Sequence, residues 1–143
     1  MRAIDKPAGE QVKNRIVRTL PFFDTTVNAG FPSPAQDYHE NEITPEELIG
    51  MTPTTFLVRV SGPSMEGAHI PHGCVVAVDR SAKPSAGSIV VALLNGEFTI
   101  KRLVRSHAGW ILHAENPSFT PYVVKDEDQF DVWGVVKAIV IKP

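Results

Sequence analysis

A chain of 143 residues is long enough for one domain with its own core and too short for two ordinary domains. Its 14 Lys and Arg against 16 Asp and Glu give a formal net charge of −2, which argues against tight direct binding to nucleic acid. The single cysteine excludes an internal disulfide and no apolar run approaches the roughly 18 residues of a membrane span, so we expect a cytoplasmic protein without a membrane anchor.

The first third of the chain offers little to a hydrophobic core. Residues 1 to about 20 mix charges with few large apolar groups and are expected to form a flexible N-terminal arm. The apolar cluster Leu20–Phe23 is too small for a core but suits docking of the arm on another surface. Asn28–Pro34 contains a glycine and two prolines, which favour an extended, exposed path. This path fits an ordinary linker or a peptide that a protease can reach.

One short helix is predicted at Thr44–Gly50. Thr44 stands at the N-cap position, Pro45 at the first helical position and Glu47 at the third, and this arrangement is a capping box. Gly50 is a typical terminating residue. The helix is therefore bounded at both ends.

From residue 54 onward, short apolar and β-branched runs alternate with turn residues. The predicted strands are Thr55–Val60, Cys74–Asp79, Ser88–Leu94, Glu97–Val104, Gly109–Ala114, Tyr122–Lys125 and Phe130–Ile141, the last of which Gly134 could interrupt. Asn95-Gly96 predicts a type I′ hairpin turn, in which both central residues need positive φ. The predicted fold is mainly β, a compact curled antiparallel domain with a flexible arm and one short helix.

A serine follows the first of these strands in a tight turn. The chain turns through Gly62 and Pro63, which would present the Ser64 hydroxyl at a surface. Serines in such turns usually cap nearby backbone groups. Ser64 becomes a candidate nucleophile only if a base lies beside it.

A lysine on the hairpin strand is the candidate base. Strand alternation places Glu97, Thr99 and Lys101 on one face. A lysine in mid-strand is more often a solvated residue or an edge guard. If Lys101 were partly buried beside Ser64, desolvation would lower its pKa from roughly 10.4, and the free amine could take the serine proton.

Other chemistries have weaker signals. The five histidines are scattered without zinc-site spacing, and there is no phosphate-binding glycine loop, so no metal or cofactor is expected. Cys74 lies in an apolar run and fits packing better than catalysis. A Ser-His-Asp triad stays open, although no Gly-x-Ser-x-Gly motif supports it.

Three separated motifs carry a family resemblance: Ala29–Tyr38, Ser61–Met65 and Glu97–Leu103. With the stretch Asp131–Val136, they resemble the LexA/UmuD family of Ser-Lys self-cleaving proteins, and the likeness runs from about Phe22 to the end. The resemblance implies that Ser64 is the nucleophile and Lys101 the general base. It implies a scissile bond between Ala29 and Gly30, cut within one chain or by the partner in a homodimer. Residues 1–29 would be the regulatory arm that is removed, and residues 30–143 the β-rich protease-like and polymerase-binding domain.

The resemblance also implies partners in the bacterial cytoplasm. A RecA filament on single-stranded DNA would promote the cut, and the trimmed product would join a UmuC-like subunit of an error-prone translesion polymerase in the DNA-damage (SOS) response. Residues 1–29 are too few for the DNA-binding domain of a repressor, which favours the UmuD branch. One alternative is a catalytically idle dimeric binding module that only regulates a polymerase. A signal peptidase is disfavoured, since those enzymes are membrane-anchored.

Pro63 bears directly on the rate of the expected reaction. If the oxyanion hole uses the backbone N–H groups of Ser64 and of the residue before it, Pro63 cannot supply its share. Losing one such donor elsewhere slows a reaction on the order of 100-fold. We therefore expect slow self-cleavage, or support of the oxyanion by the Ser61 hydroxyl or by water.

Overall fold

The computed structural model describes residues 18–23, 26–32 and 39–143. The chain divides into two compact units, Met1–Leu48 and Ile49–Pro143. Most of the arm predicted for residues 1 to about 20, and the Ser33–Tyr38 part of the first motif, lie outside the described residues.

The first unit contains a two-stranded antiparallel sheet. Strand β1 (Leu20–Phe23) pairs with β2 (Glu40–Ile43), with Leu20 opposite Ile43. The predicted apolar cluster thus forms a strand, and all four of its residues are exposed. Neither strand was predicted, because Pro21 and the polar residues of β2 give little local signal for β structure.

Helix α1 (Pro45–Ile49) forms as predicted. The Thr44 backbone N–H donates to Glu47 Oε1 at 2.9 Å, and the Glu47 backbone N–H donates to Thr44 Oγ1 at 3.0 Å. These reciprocal bonds are the predicted capping box. Gly50 follows with a φ of 77°, the left-handed conformation that commonly ends a helix.

The second unit is a seven-stranded antiparallel sheet with the strand order β3-β4-β9-β5-β6-β7-β8. Its strands are β3 (Thr55–Arg59), β4 (Val75–Asp79), β5 (Ile89–Leu94), β6 (Glu97–Ser106), β7 (Gly109–His113), β8 (Tyr122–Val123) and β9 (Phe130–Val140). The prediction of a mainly β, antiparallel fold with a short helix is confirmed. Predicted strand ends differ from the observed ones by about two residues at most.

Strand β9 lies in the middle of this sheet and is not interrupted at Gly134. It pairs with β4 on one side and β5 on the other, and the register shifts once along each pairing. A Cβ atom on Gly134 would lie 2.6 Å from Val78 Cγ1 and 2.9 Å from the Asp79 carbonyl oxygen. The glycine therefore permits close packing of β9 on β4.

The β5–β6 hairpin carries the candidate base into the sheet. Asn95 and Gly96 have φ values of 51° and 85°, as the predicted type I′ turn requires. Lys101 lies on β6, directly opposite Val90, which is fully buried on β5. The turn thus fixes the register that places Lys101 in the sheet.

Two hydrophobic clusters form the core of this unit. On β5, Val91 belongs to the first cluster, whereas Val90 and Ala92 belong to the second, as strand alternation requires. The first cluster also contains Met65 and Ile70, which are almost completely buried. Full burial of each contributes about 1.5–3 kcal/mol, so the β3–β4 loop is anchored in the core.

Candidate active site

Ser64 lies in the loop between β3 and β4, which backbone hydrogen bonds close at its base. The Val60 N–H donates to the Cys74 carbonyl oxygen at 2.9 Å, and the Gly73 N–H donates to the Val60 carbonyl oxygen at 2.7 Å. Within the loop, the Gly62 N–H donates to His72 Nδ1 at 2.9 Å, and Gly62 has a φ of 94°. The turn before Ser64 therefore needs the conformational freedom of glycine.

The structure brings Lys101 to Ser64. Lys101 Nζ donates to Ser64 Oγ at 3.2 Å, to Thr99 Oγ1 at 2.8 Å and to the Ile100 carbonyl oxygen at 3.1 Å. Thr99 lies on the same face of β6 as Lys101, as the alternation predicted. The three acceptors are all uncharged oxygens.

Burial lowers the pKa of Lys101 below the usual 10.5 of a lysine. The physical cause is desolvation, which disfavours the charged ammonium. Among the residues that the structure describes, no carboxylate forms an ion pair with Lys101 that would offset this loss of hydration. A lysine in this environment releases its proton more readily than a solvated lysine and can then accept one from Ser64.

An open cavity of about 250 Å³ lies beside the Ser64–Lys101 pair. Its polar lining includes Ser61, whose side chain is exposed. The apolar lining residues are Val58, Val60, Val91, Phe98 and Ile100. Phe98 packs edge-on against Trp133, with ring centroids 4.9 Å apart. A cavity with apolar walls and a few polar groups suits an extended peptide with small or apolar side chains.

In the part of the chain that the structure describes, no histidine hydrogen-bonds to Ser64 and no metal site forms. Ser64 Oγ pairs with Lys101, whereas Nδ1 of His72, a histidine of the same loop, accepts from Gly62. Across residues 18–23, 26–32 and 39–143, no three His, Cys, Asp or Glu side chains are grouped so that they could hold a metal ion. No helix within those ranges is long and apolar enough to cross a bilayer.

The predicted cleavage-site residues, Ala29 and Gly30, lie in the first unit. Both are exposed and form a bend. A Cβ atom on Gly30 would meet nothing within 4 Å. Val27 and Phe31, which flank the bond, are 91% and 92% exposed. The backbone around the predicted bond is thus accessible, as a substrate peptide must be.

Sequence reasoning missed residues that support the Ser64 loop. Asn116 Nδ2 donates to the Pro63 carbonyl oxygen at 2.9 Å, and the Gly67 N–H donates to the Glu115 carbonyl oxygen at 2.7 Å. The only local signal for the first contact is Asn116-Pro117, a dipeptide typical of turns. Nothing in the sequence indicated that this turn packs on the loop that carries Ser64.

Comparison with known proteins gives a consistent set of similarities. The Peptidase S24-like family matches residues 21–137. The chain is 40% identical over 121 residues to protein MucA of Escherichia coli, which covers 84% of this chain and 83% of MucA. It is 39% identical over 125 residues to protein SamA of Salmonella typhimurium, covering 87% and 86% of the two chains. It is also 39% identical over 115 residues to the LexA repressor of Bordetella pertussis, covering 80% of this chain and 53% of the repressor.

Proposed function

The chain belongs to the Peptidase S24-like family, and from this premise we propose that it is a serine autoprotease that cuts its own Ala29–Gly30 bond. The observation that carries the proposal is the 3.2 Å contact between Ser64 Oγ and Lys101 Nζ beside an open cavity. Lowering of the Lys101 pKa by burial supports the role of this residue as general base.

The proposed reaction begins with Lys101 as a free amine. The amine takes the Ser64 proton, and Oγ bonds to the carbonyl carbon of Ala29. The resulting tetrahedral intermediate collapses as the Lys101 ammonium returns a proton to the Gly30 nitrogen, which leaves as a new N-terminus. Water then hydrolyses the acyl-enzyme at Ala29 and regenerates Ser64. Because the substrate is part of the same chain or of a partner copy, its positioning can lower the barrier by several kcal/mol, roughly 7–11 at the most.

The oxyanion of the intermediate needs hydrogen-bond donors. The Ser64 backbone N–H is one candidate, and Pro63 has no N–H to act as a second. The Ser61 hydroxyl lines the same cavity and is our candidate for the missing donor. A peptidase with one backbone donor would be slow, which suits a protein that cuts itself only once.

We assign the protein to the bacterial DNA-damage (SOS) response, in the UmuD branch of the family. In this assignment a RecA filament on single-stranded DNA stabilises the conformation in which the arm occupies the cavity, without supplying a catalytic group. The product, residues 30–143, then acts as a homodimer with a UmuC-like subunit of an error-prone translesion polymerase in the cytoplasm. The net charge of −2 supports contact with protein partners over direct binding to DNA. Similarity to proteins MucA and SamA over most of the chain supports this branch.

A second candidate function is a catalytically idle dimeric module that only regulates a polymerase. The observation that favours it is Pro63, which removes one possible oxyanion donor beside the nucleophile. In this case the Ser64–Lys101 contact would serve only to hold the loop.

Mass spectrometry of the purified full chain separates the two candidates. The protein is incubated with and without RecA, ATP and single-stranded DNA. An autoprotease gives two fragments, residues 1–29 and 30–143, and gives them faster with the filament. The Gly30→Glu variant should stay intact, because a bulky charged side chain beside the bond hinders approach of Ser64. Intact wild-type protein under every condition, including alkaline pH, would support the idle module.

A further inference from the structure

The Ser64 backbone N–H has no hydrogen-bond acceptor among the residues that the structure describes, and the same holds for the Met65 N–H. The Glu66, Gly67 and Ala68 amides that follow all donate to backbone carbonyls. Pro63 has no N–H, so the Ser64 amide is the backbone donor that belongs to the proposed nucleophile's own residue. Its direction therefore matters for any negative oxygen formed on a bound carbonyl.

The peptide that contains this N–H is held at its other side. The Pro63 carbonyl oxygen accepts from Asn116 Nδ2 at 2.9 Å and from the Glu66 N–H at 3.2 Å. A trans peptide is planar, with its C=O and N–H pointing in opposite directions. Fixing the Pro63 oxygen therefore fixes the direction of the Ser64 N–H. Donation to the carbonyl also polarises the amide, which strengthens the N–H as a donor.

The Asn116 side chain is itself oriented. Its Oδ1 accepts from the Ser118 N–H at 3.0 Å, which leaves Nδ2 as the group that faces Pro63. The Asn116 carbonyl oxygen accepts from the Phe119 N–H at 3.0 Å. Asn116 thus lies in a turn held by two hydrogen bonds, and its Nδ2 donor is directed at the Pro63 carbonyl oxygen.

The segment that carries Asn116 is also tied to the strand that carries Lys101. Glu115 Oε2 lies 3.3 Å from Arg102 Nε, and Arg102 follows Lys101 on β6. The Glu115 carbonyl oxygen accepts from the Gly67 N–H, and a Cβ atom on Gly67 would lie 2.6 Å from that oxygen. Residues 115–116 therefore connect the Ser64 loop to β6 through hydrogen bonds and an ion pair.

We infer that Asn116 is a positioning residue that aims the Ser64 N–H at the oxyanion by holding the Pro63 carbonyl. This inference rests on the proposed function, because it concerns the reactivity of Ser64. It differs from that function in its test, since Ser64 reactivity can be measured without cleavage of the arm.

The test compares Asn116→Ala with wild type in two assays. The first is the rate of self-cleavage against pH. The second is the rate at which a fluorophosphonate phosphonylates Ser64, with loss of fluoride, measured against pH by intact mass. The phosphonyl oxygen needs the same donor, and the arm takes no part. We expect both plateau rates to fall about tenfold, less than the roughly 100-fold typical of losing an oxyanion donor itself, with unchanged pH midpoints.

An unchanged midpoint in the plot of rate against pH distinguishes a positioning role of Asn116 from a general disruption of the Ser64 loop. If the variant merely moved the loop away from Lys101, the lysine would regain water and the midpoint would rise. The matched control is Ser106→Ala, whose hydroxyl likewise donates to a backbone carbonyl and accepts from a backbone N–H but lies in the β6–β7 turn. Ser106→Ala should lower stability and leave both rates unchanged.

The outcomes are distinct. Equal phosphonylation of wild type and Asn116→Ala, or a raised midpoint in the variant, overturns the inference. Slower phosphonylation of the variant supports it even if wild type never cuts its arm, a result that would count against the proposed function alone. If Asn116→Ala does not fold, Asn116→Ser takes its place, since its hydroxyl can accept from Ser118 but is too short to reach Pro63.

Discussion

Lys101 is held in the second unit by three uncharged oxygens, and this arrangement favours chemistry at the expense of stability. Folding removes water from the half-buried Lys101 ammonium without pairing it with a carboxylate. This desolvation lowers the stability of the folded chain. Loss of the Lys101 proton relieves that cost and, in the proposed reaction, also produces the base that accepts the Ser64 proton. The same desolvation therefore links reactivity to stability at this residue.

Lys101→Met is expected to remove the pH dependence that Lys101 imposes on stability. The folded-state pKa of Lys101 is lowered, so between that lowered pKa and 10.5 the unfolded chain binds more protons at this residue than the folded chain. In a Ser64→Ala background, the free energy of unfolding should therefore rise with pH toward 10.5 relative to the Lys101→Met variant. Urea unfolding at several pH values measures this. Lys83→Met, at an exposed loop position, is the control, and parallel curves for Lys101 and Lys101→Met would contradict the expectation.

Pro63→Ala introduces a backbone N–H beside the proposed nucleophile, Ser64. If oxyanion donors limit the rate, self-cleavage should become faster, by up to about 100-fold. Pro71→Ala, in the same loop, is the control for a simple gain in backbone freedom. An unchanged rate in Pro63→Ala would show that this donor is dispensable.

Asp79 should make the fold sensitive to acid. Its Oδ1 accepts from Thr54, Ser81 and Thr52, and these hydrogen bonds, of which that from Thr54 is the largest cause, lower the pKa of Asp79 to about 2. Because the folded pKa lies below the unfolded value of roughly 3.9, the stabilisation is complete above that value and is lost as pH falls toward 2. Asp79→Asn should be less stable than wild type at neutral pH. Its stability should not show the fall that Asp79 causes as the pH approaches 2.

Circular dichroism during acid titration, with urea added to a fixed concentration, measures the effect. Asp131→Asn, at an exposed position of β9, is the matched control and should titrate like wild type. Identical acid curves for wild type and Asp79→Asn would contradict the assignment.

At the scale of elements, local sequence signals were reliable where one short stretch determines the geometry. The capping box at Thr44 and Glu47 and the type I′ turn at Asn95-Gly96 were both predicted, since each depends on a few adjacent residues. The β1–β2 pairing was not predicted, because it joins residues that are distant in sequence and have weak propensity.

The candidate site shows the same division. Ser64 and Lys101 could be proposed from a turn, a strand and the family resemblance. Thr99 was placed on the Lys101 face by alternation, but its hydrogen bond to Nζ was not predicted. Asn116 acts through a contact with Pro63 that only the folded chain creates, so no local pattern could identify it.

Gly134→Ala tests the packing of the central strand. The added Cβ would lie 2.6 Å from Val78 Cγ1 and 2.9 Å from the Asp79 carbonyl oxygen, so β9 and β4 would have to separate. We expect a loss of about 1–3 kcal/mol in the free energy of unfolding, measured in urea in a Ser64→Ala background. Gly30→Ala, where nothing lies within 4 Å, is the control. Equal stability of the two variants would contradict the proposed role of Gly134.

At the scale of the whole molecule, the chain consists of two compact units with different tasks in the proposed reaction. The first carries the exposed Ala29–Gly30 bond, and the second carries Ser64 and Lys101. The match to the Peptidase S24-like family and the similarity to MucA, SamA and LexA confirm the family resemblance predicted from the three motifs. In the proposed reaction, a partner would control the rate of cleavage by changing how often the Ala29–Gly30 bond meets Ser64.

The central claim is that Ser64 and Lys101 together cut the Ala29–Gly30 bond. The most direct measurement is the self-cleavage rate of wild type, Ser64→Ala and Lys101→Ala at alkaline pH without any partner, followed by intact mass. Wild type should yield residues 1–29 and 30–143, at a rate that rises with pH as Lys101 loses its proton, and both variants should remain intact. Cleavage of either variant at the wild-type rate would contradict the account.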